Sequence, residues 1–450
     1  MISDKVAAHF QIFGGCVPDR ISSGPERCHF RNVDCEFRQM VITIDCEPGG
    51  STPVETTVHH PDQYMSELRT IVAQGKKRIG FLIGAGAPAG IRNVETSAPL
   101  IPAIAQLTDI VVEQVPEEYR AVVKAARTRQ PSANIEVLLS SFRALSRAIG
   151  ESKVEGLCGK EYAKLSDLIC KEIGKIVDVR LPEGETPYGH LVNWIVGTSR
   201  RQAIEVFTTN YDLLLEEALE RARAPFFDGF SGSRVPFFDP VTIANDDLPS
   251  RITRLWKLHG SLGWSSGPTE ETVRTGSTDA TSMIYPEHLK YDQTQKAPYV
   301  ALFDRLQTFL RTDDALLIGI GFSFADAHVS AKIDEALAAN PSAAVFAFQF
   351  RTLEEEEPAR RLGLRRSNFS VYASDKAVVN GIEAPWRPGE LPSRDWGPIR
   401  ASYWGKEGGA EHQQFRLGDF MEFARFLAFS KSASFARLEA GATNEAEEVS

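Results

Sequence analysis

The chain has 450 residues, 42% of them hydrophobic and 24% charged, with a formal net charge of -10. That length holds two or three domains of ordinary globular composition, and the negative balance without a long Lys/Arg run disfavours direct binding to nucleic acid. No apolar run approaches the roughly 20 residues of a membrane helix, and the first residues lack the basic and apolar regions of a secretory signal, so a cytoplasmic protein is expected.

Residues 1 to 60 are rich in Gly, Pro, Ser and Cys and read as an N-terminal extension with one strand near Met40 to Ile44. Four of the six cysteines (Cys16, Cys28, Cys35, Cys46) lie there, none spaced C-x-x-C, so buried free thiols are expected and no metal is assigned. From Pro61 a helical pattern of Tyr64, Leu68 and Ile71 leads into the apolar run Ile79 to Ile83.

That run ends in GAGAPAGI, starting at Gly84, whose first glycines permit a tight turn. Gly84, Ala85 and Gly86 would let backbone amides approach a diphosphate at the start of a helix. The spacing is G-x-G-x-x-x-G rather than the dinucleotide fingerprint, and an ordinary βα turn is the competing reading. Residues 100 to 200 read as a helical insertion, with Ile135, Leu138, Leu139 and Phe142 on one helix face.

Three more short apolar runs each end in a polar motif. The first precedes TTNYD, with Thr209, Asn210 and Asp212 ahead of a helix-like run; either polar side chain suits a helix cap, and the other is free for a ligand. The second precedes LHGS, where His259 stands at a strand exit and suits a general base near pH 7. The third precedes GIGFSFAD, a second glycine turn holding Gly319, Gly321, Ser323 and Asp326, in which Ser323 either bonds a ligand oxygen or caps a helix.

Strands alternating with helical patterns predict an α/β fold, a Rossmann-like doubly wound parallel sheet with a helical insertion subdomain, spanning residues 61 to 375. Ligands of such sheets bind beyond the carboxyl ends of the strands, where all four motifs fall. Strands at Ala344 to Phe350 and Phe369 to Ala373 flank a segment that Thr352 and Glu355 would open as a capping box. Residues 376 to 450 read as a C-terminal segment with one amphipathic helix, Leu417 to Leu427, and a disordered acidic tail.

Taken together, GAGAPAGI, TTNYD, LHGS and GIGFSFAD resemble the loops of the sirtuin superfamily, and more specifically its bacterial NADase branch found in anti-phage defence. The resemblance covers about residues 61 to 335. It implies NAD+ as substrate, Asn210 and His259 as the catalytic pair with Asp212 in support, and Gly84, Ala85, Gly86, Thr209, Gly319, Gly321, Ser323 and Asp326 as NAD+ contacts. Protein-deacylating sirtuins carry a paired C-x-x-C zinc module after the His-Gly motif, whereas this chain has no cysteine between His259 and residue 450. The resemblance therefore implies plain NAD+ hydrolysis ahead of a non-catalytic NAD-binding subunit or a deacylase. The sequence after residue 340 is similar to subunits that accompany a HerA-type hexameric ATPase, which implies that partner, or a homo-oligomer, as the gate.

Overall fold

The computed structural model describes residues 32–35, 38–44, 55–93, 96–131, 133–198, 200–266, 271–275, 298–391, 393, 396–406 and 412–428. The expectations for residues 440–450 and for Cys16, Cys28 and Cys46 fall outside them. Contacts divide the chain into two compact units, Met1–Val58 and His59–Ser450. In the first, β1 (Asn32–Cys35), β2 (Arg38–Ile44) and β3 (Glu55–Val58) form an antiparallel sheet in the order β1-β2-β3. The strand expected near Met40 is the later part of β2.

In the second unit the apolar runs become β4 (Arg78–Ile83), β5 (Glu205–Thr208), β6 (Phe226–Phe227), β7 (Phe230–Ser231), β8 (Phe237–Phe238) and β9 (Thr253–Lys257). They continue with β10 (Trp264–Ser266), β11 (Thr272–Arg274), β12 (Ala315–Ile320), β13 (Ala344–Phe348), β14 (Phe369–Tyr372), β15 (Lys376–Val379) and β16 (Ile382–Pro385). The main sheet has nine strands in the order β16-β15-β14-β13-β12-β4-β5-β9-β6. From central β4 the chain winds to β5 and β9 on one side, then returns through β12, β13 and β14 on the other. Every pairing from β14 across to β6 is parallel. This is the doubly wound, Rossmann-like α/β sheet, and β12 beside β4 marks where strand order reverses.

Side-chain alternation explains the two layers of helices. Phe81, Ile83, Val206, Leu255 and Ile318 enter one apolar cluster, while Leu82, Phe207, Trp256 and Leu317 enter the other. Between β4 and β5 lies the expected insertion, containing helices Ile104–Gln114, Glu117–Arg129, Ile135–Ala148, Gly159–Val177 and Pro187–Gly197. Asn134 caps the third of these through Val137 N at 3.0 Å, which turns Ile135, Leu138, Leu139 and Phe142 inward. Among the described residues no helix is long and apolar enough to cross a membrane.

The C-terminal boundary expected near residue 376 falls inside this unit. Strands β15 and β16 extend the sheet antiparallel from β14. Residues 420–428 are helical, and Phe423, Ala424, Phe426 and Leu427 are fully buried in the same cluster as Phe81. Asp419 opens this helix by accepting from Met421 N at 2.8 Å and Glu422 N at 3.0 Å. The Thr352 and Glu355 side chains meet at 2.8 Å, but in the turn ahead of helix Glu357–Arg365 rather than at its first residue.

At the amino ends of the central strands, away from the motif loops, an ion network ties three of them together. Glu205 on β5 is buried and accepts from Arg305 at 2.7 Å on each oxygen and from Trp256 Nε1 at 2.9 Å. Asp246 joins in, accepting from Arg305 at 2.7 Å, Arg78 at 2.9 Å and Arg254 at 3.0 Å. Burial opposes ionisation of Asp246, but the Arg305 and Arg254 guanidinium groups outweigh it and hold the carboxyl below the ordinary aspartate value.

A folded value below the unfolded one means that ionised Asp246 stabilises the fold above a pH of about 3.9 and that this contribution is lost as pH falls through the folded value. The stability gap between the wild type and Asp246→Asn should therefore shrink as pH is lowered from about 6 to about 3. Urea unfolding of both proteins across that range checks it; a gap that stays constant would contradict the ion-pair assignment.

Candidate functional site

The four motif loops leave β4, β5, β9 and β12 at adjacent carboxyl ends and are bonded to one another. Gly84 N donates to Ile320 O at 3.0 Å, and Gly86 N donates to Gly321 O at 2.9 Å. On the other side Thr209 N donates to Ile83 O at 3.3 Å, Leu258 N to Thr208 O at 2.8 Å and Leu262 N to Tyr211 O at 3.0 Å. Thr208 Oγ1 adds a bond to Ile83 O at 2.9 Å and accepts from Asn210 N at 3.1 Å.

The two glycine turns touch at backbone distance. A Cβ on Gly84 would stand 2.3 Å from Gly321 O, and one on Gly321, whose φ is +62°, would stand 2.4 Å from Ala87 N. Only glycine allows that approach and that dihedral. The expected arrangement has the Gly84, Ala85 and Gly86 amides facing a diphosphate; here those of Gly84 and Gly86 are donated to carbonyls of the β12 side, and Ala85 and Gly86 are the exposed residues of the turn. Gly84→Ala should destabilise the protein by about 1–3 kcal/mol, because backbone on both sides has to shift. A thermal midpoint unchanged from the wild type would show that the turns separate freely.

Asn210 and Asp212 divide the two roles open to them. Asp212 is buried just ahead of helix Leu214–Arg221 and accepts from its first amide, Leu214 N, at 3.1 Å. Asn210 reaches across to β4, its Nδ2 donating to Gly84 O at 3.1 Å. Its side chain is only 7% exposed, and its Oδ1 has no hydrogen-bond partner among the described residues. Orphaned buried acceptors are uncommon in folded proteins, which marks this oxygen as one suited to a ligand hydroxyl or a water.

His259 is 4% exposed, and its Nε2 lies 3.2 Å from Asp326 Oδ2. The other Asp326 oxygen caps helix Ala327–Ala339, accepting from His328 N at 2.8 Å and Val329 N at 3.1 Å. One carboxylate thus anchors a helix and stands within ion-pair distance of the imidazole. Gly319 is buried, with a ring atom of Phe324 3.1 Å from where its Cβ would be. Ser323 is exposed in the same loop, its Oγ accepting from Ala325 N at 3.4 Å. Next to it Phe324 holds φ +58°, the left-handed region that costs a non-glycine residue roughly 1–3 kcal/mol and that clusters at ligand sites.

Sequence reasoning missed three side chains. Lys257, the last residue of β9, is buried; its Nζ donates to Asp212 O and, at 2.8 Å, to Glu216 Oε1. Burial pushes the Asp212 and Glu216 carboxyls up against the opposing pull of the Lys257 ammonium. Tyr188, from the inserted helix Pro187–Gly197, is 1% exposed beside Asn210. Tyr211 sets its ring 6.4 Å from that of His259. The charge of Lys257 inside an apolar strand was the one available signal. Among the described residues no group of three or more His, Cys, Asp and Glu is placed to hold a metal ion.

Residues 204–372 match the family model of the SIR2-like domain. That stretch runs from the start of β5 to the end of β14, taking in Asn210, Asp212, His259, Ser323 and Asp326 but neither the Gly84 turn nor the insertion. No curated protein matches the chain. Among solved structures, a chain described as "Structural Basis for the Mechanism and Regulation of Sir2 Enzymes" is similar over 64% of this chain and 85% of its own, at 14% identity and a TM-score of 0.29.

Proposed function

We propose that this protein is an NAD+ glycohydrolase that cleaves the bond between nicotinamide and ribose. The observation that carries the reading is the unpaired, buried Asn210 Oδ1 in a cluster of four strand-exit loops that also holds a carboxylate-oriented His259. A SIR2-like domain over the same residues supports it. Nicotinamide departs with the electron pair of the C1′–N bond, leaving an oxocarbenium-like ribose, and water adds at C1′. Asn210 Oδ1 accepts from a ribose hydroxyl or the attacking water, and His259 takes the proton that water loses. The products are nicotinamide, ADP-ribose and a proton.

Asp326 keeps the imidazole in place, and Thr209, Ala85 and Ser323 stand on the partly or fully exposed side of the loops, where the rest of the dinucleotide would lie. Gly84, Gly86, Gly319 and Gly321 let the backbone come close enough to build that floor. Asp212 acts as a support, fixing the helix that follows the catalytic loop. Incubation with NAD+ and chromatography of nicotinamide and ADP-ribose tests the reading; intact NAD+ after incubation alone and with its partners would overturn it.

A second reading has one observation in its favour. Asn210 and His259 are nearly covered and the glycine-turn amides are internally bonded, as suits an NAD-binding subunit that responds to its ligand without turning it over. Tight NAD+ binding without cleavage would select it. For the hydrolase the same coverage calls for a gate, and we assign that to a homo-oligomer or a HerA-type ATPase, with depletion of cytoplasmic NAD+ during phage infection as the outcome. Deacylation of acylated peptides with release of acyl-ADP-ribose is the least favoured activity, since no paired cysteines follow His259.

A further inference from the structure

The last register pair of β5 and β9 is Thr208 with Lys257, yet the segments beyond it, which carry Asn210 and His259, stay bonded to each other. Leu258 N donates to Thr208 O at 2.8 Å, and Leu262 N donates to Tyr211 O at 3.0 Å. A side chain makes the third tie: Lys257 Nζ donates to the backbone oxygen of Asp212. The three bonds close a ring of chain made of residues 208–212 and 257–262. Asn210 lies between the anchors on one segment and His259 between those on the other.

An ammonium has three donors and no acceptor, and burying it is costly unless the donors find acceptors and the charge finds its opposite. Lys257 is buried, and both needs are met from the Asn210 side: one donor goes to Asp212 O and another, at 2.8 Å, to Glu216 Oε1. Glu216 stands in the first turn of helix Leu214–Arg221. One ammonium therefore holds both the end of the Asn210 loop and the start of the helix that follows it. An apolar side chain of like length would fill the strand end at no greater cost, because a buried ion pair is often no more stabilising than a packed hydrophobe. What the ammonium adds is the tie.

We infer that Lys257 is a positioning residue for the reaction at this site: its ammonium ties the Asp212 carbonyl to the end of β9 and so sets the separation of Asn210 from His259. The inference rests on the NAD+-cleaving reading above. Lys257 acts through the backbone, since His259 follows it by two residues and Asn210 precedes Asp212 by two.

Lys257→Met keeps the apolar stem and removes the donors. It should lower kcat for nicotinamide release about tenfold to hundredfold, the scale of a reacting group displaced by up to about 1 Å. Calorimetry should give an NAD+ Kd within about twofold of the wild type and the same number of NAD+ bound per chain, whereas a merely structural loss would lower the fraction of chains that bind. In a His259→Ala background, where no pair remains to be spaced, the same change should cost nothing further in kcat. If Lys257→Met does not fold, as circular dichroism would show, Lys257→Met with Glu216→Leu removes the stranded carboxylate as well and carries the same expectations. Wild-type kcat, a fall in bound NAD+ that accounts for the loss, equal losses in both backgrounds, or failure of both variants to fold overturns the inference and leaves the hydrolase reading intact. A wild-type protein that does not cleave NAD+ overturns that reading, and the inference falls with it.

Discussion

Asn210→Ala and His259→Ala are each expected to slow nicotinamide release from NAD+ by about 10²- to 10⁴-fold, the range for losing a positioned proton acceptor or orienting group. Both variants should fold. Asn210 contributes a bond to Gly84 O from a loop already tied to β4 through Thr209 N and Thr208 Oγ1. Removing the His259 imidazole leaves Asp326 still capping its helix through two backbone amides. The pair acts on one bond-breaking event, so the double variant should lose far less than the product of the single losses. Nicotinamide release under saturating NAD+, with circular dichroism as the control for folding, measures this; wild-type turnover in either variant refutes its assignment.

The largest loss of stability should come from Glu205→Ala. Its carboxylate takes two bonds from Arg305 and one from Trp256 Nε1, and both Glu205 and Arg305 are buried. Truncation leaves the Arg305 guanidinium with Asp246 alone, a case in which breaking a buried pair costs about 3–5 kcal/mol. Replacing both partners together, Glu205→Leu with Arg305→Leu, should recover much of that, because the penalty comes from an uncompensated buried charge and not from the absence of the pair. Chemical unfolding of the three variants settles it. A loss below about 1 kcal/mol for Glu205→Ala would mean that water reaches the network.

The strand-exit residues were legible in the sequence because each follows directly on a short buried run: Gly84 on Ile83, Asn210 two places after Thr208, His259 two places after Lys257. Position along a strand is local information, and a parallel sheet brings all its carboxyl ends to one side. The partners that hold these residues are not local. Asn210 reaches Gly84 O at a sequence separation of 126, and His259 meets Asp326 from the next glycine turn. Periodicity reports which face of an element is apolar, not which distant element covers it. The same blindness left β15 and β16 in the expected C-terminal segment, although Val378 and Ala384 are buried. The second glycine turn, needed for close approach, takes up two of the three amides expected at a phosphate, those of Gly84 and Gly86.

The helix at 420–428 has a bearing on synthesis. Phe423 packs edge to face with Phe81 of β4, the first strand of the main sheet to leave the ribosome, with centroids 6.4 Å apart. Trp194 of the insertion, with its ring 5.7 Å from that of Phe81, covers part of this face earlier, and the helix completes the cover some 340 residues after β4. Until then a nascent or prematurely terminated chain exposes the part of that face that the helix covers, a target for chaperones and proteases. Quality control would therefore act on incomplete copies that lack this helix.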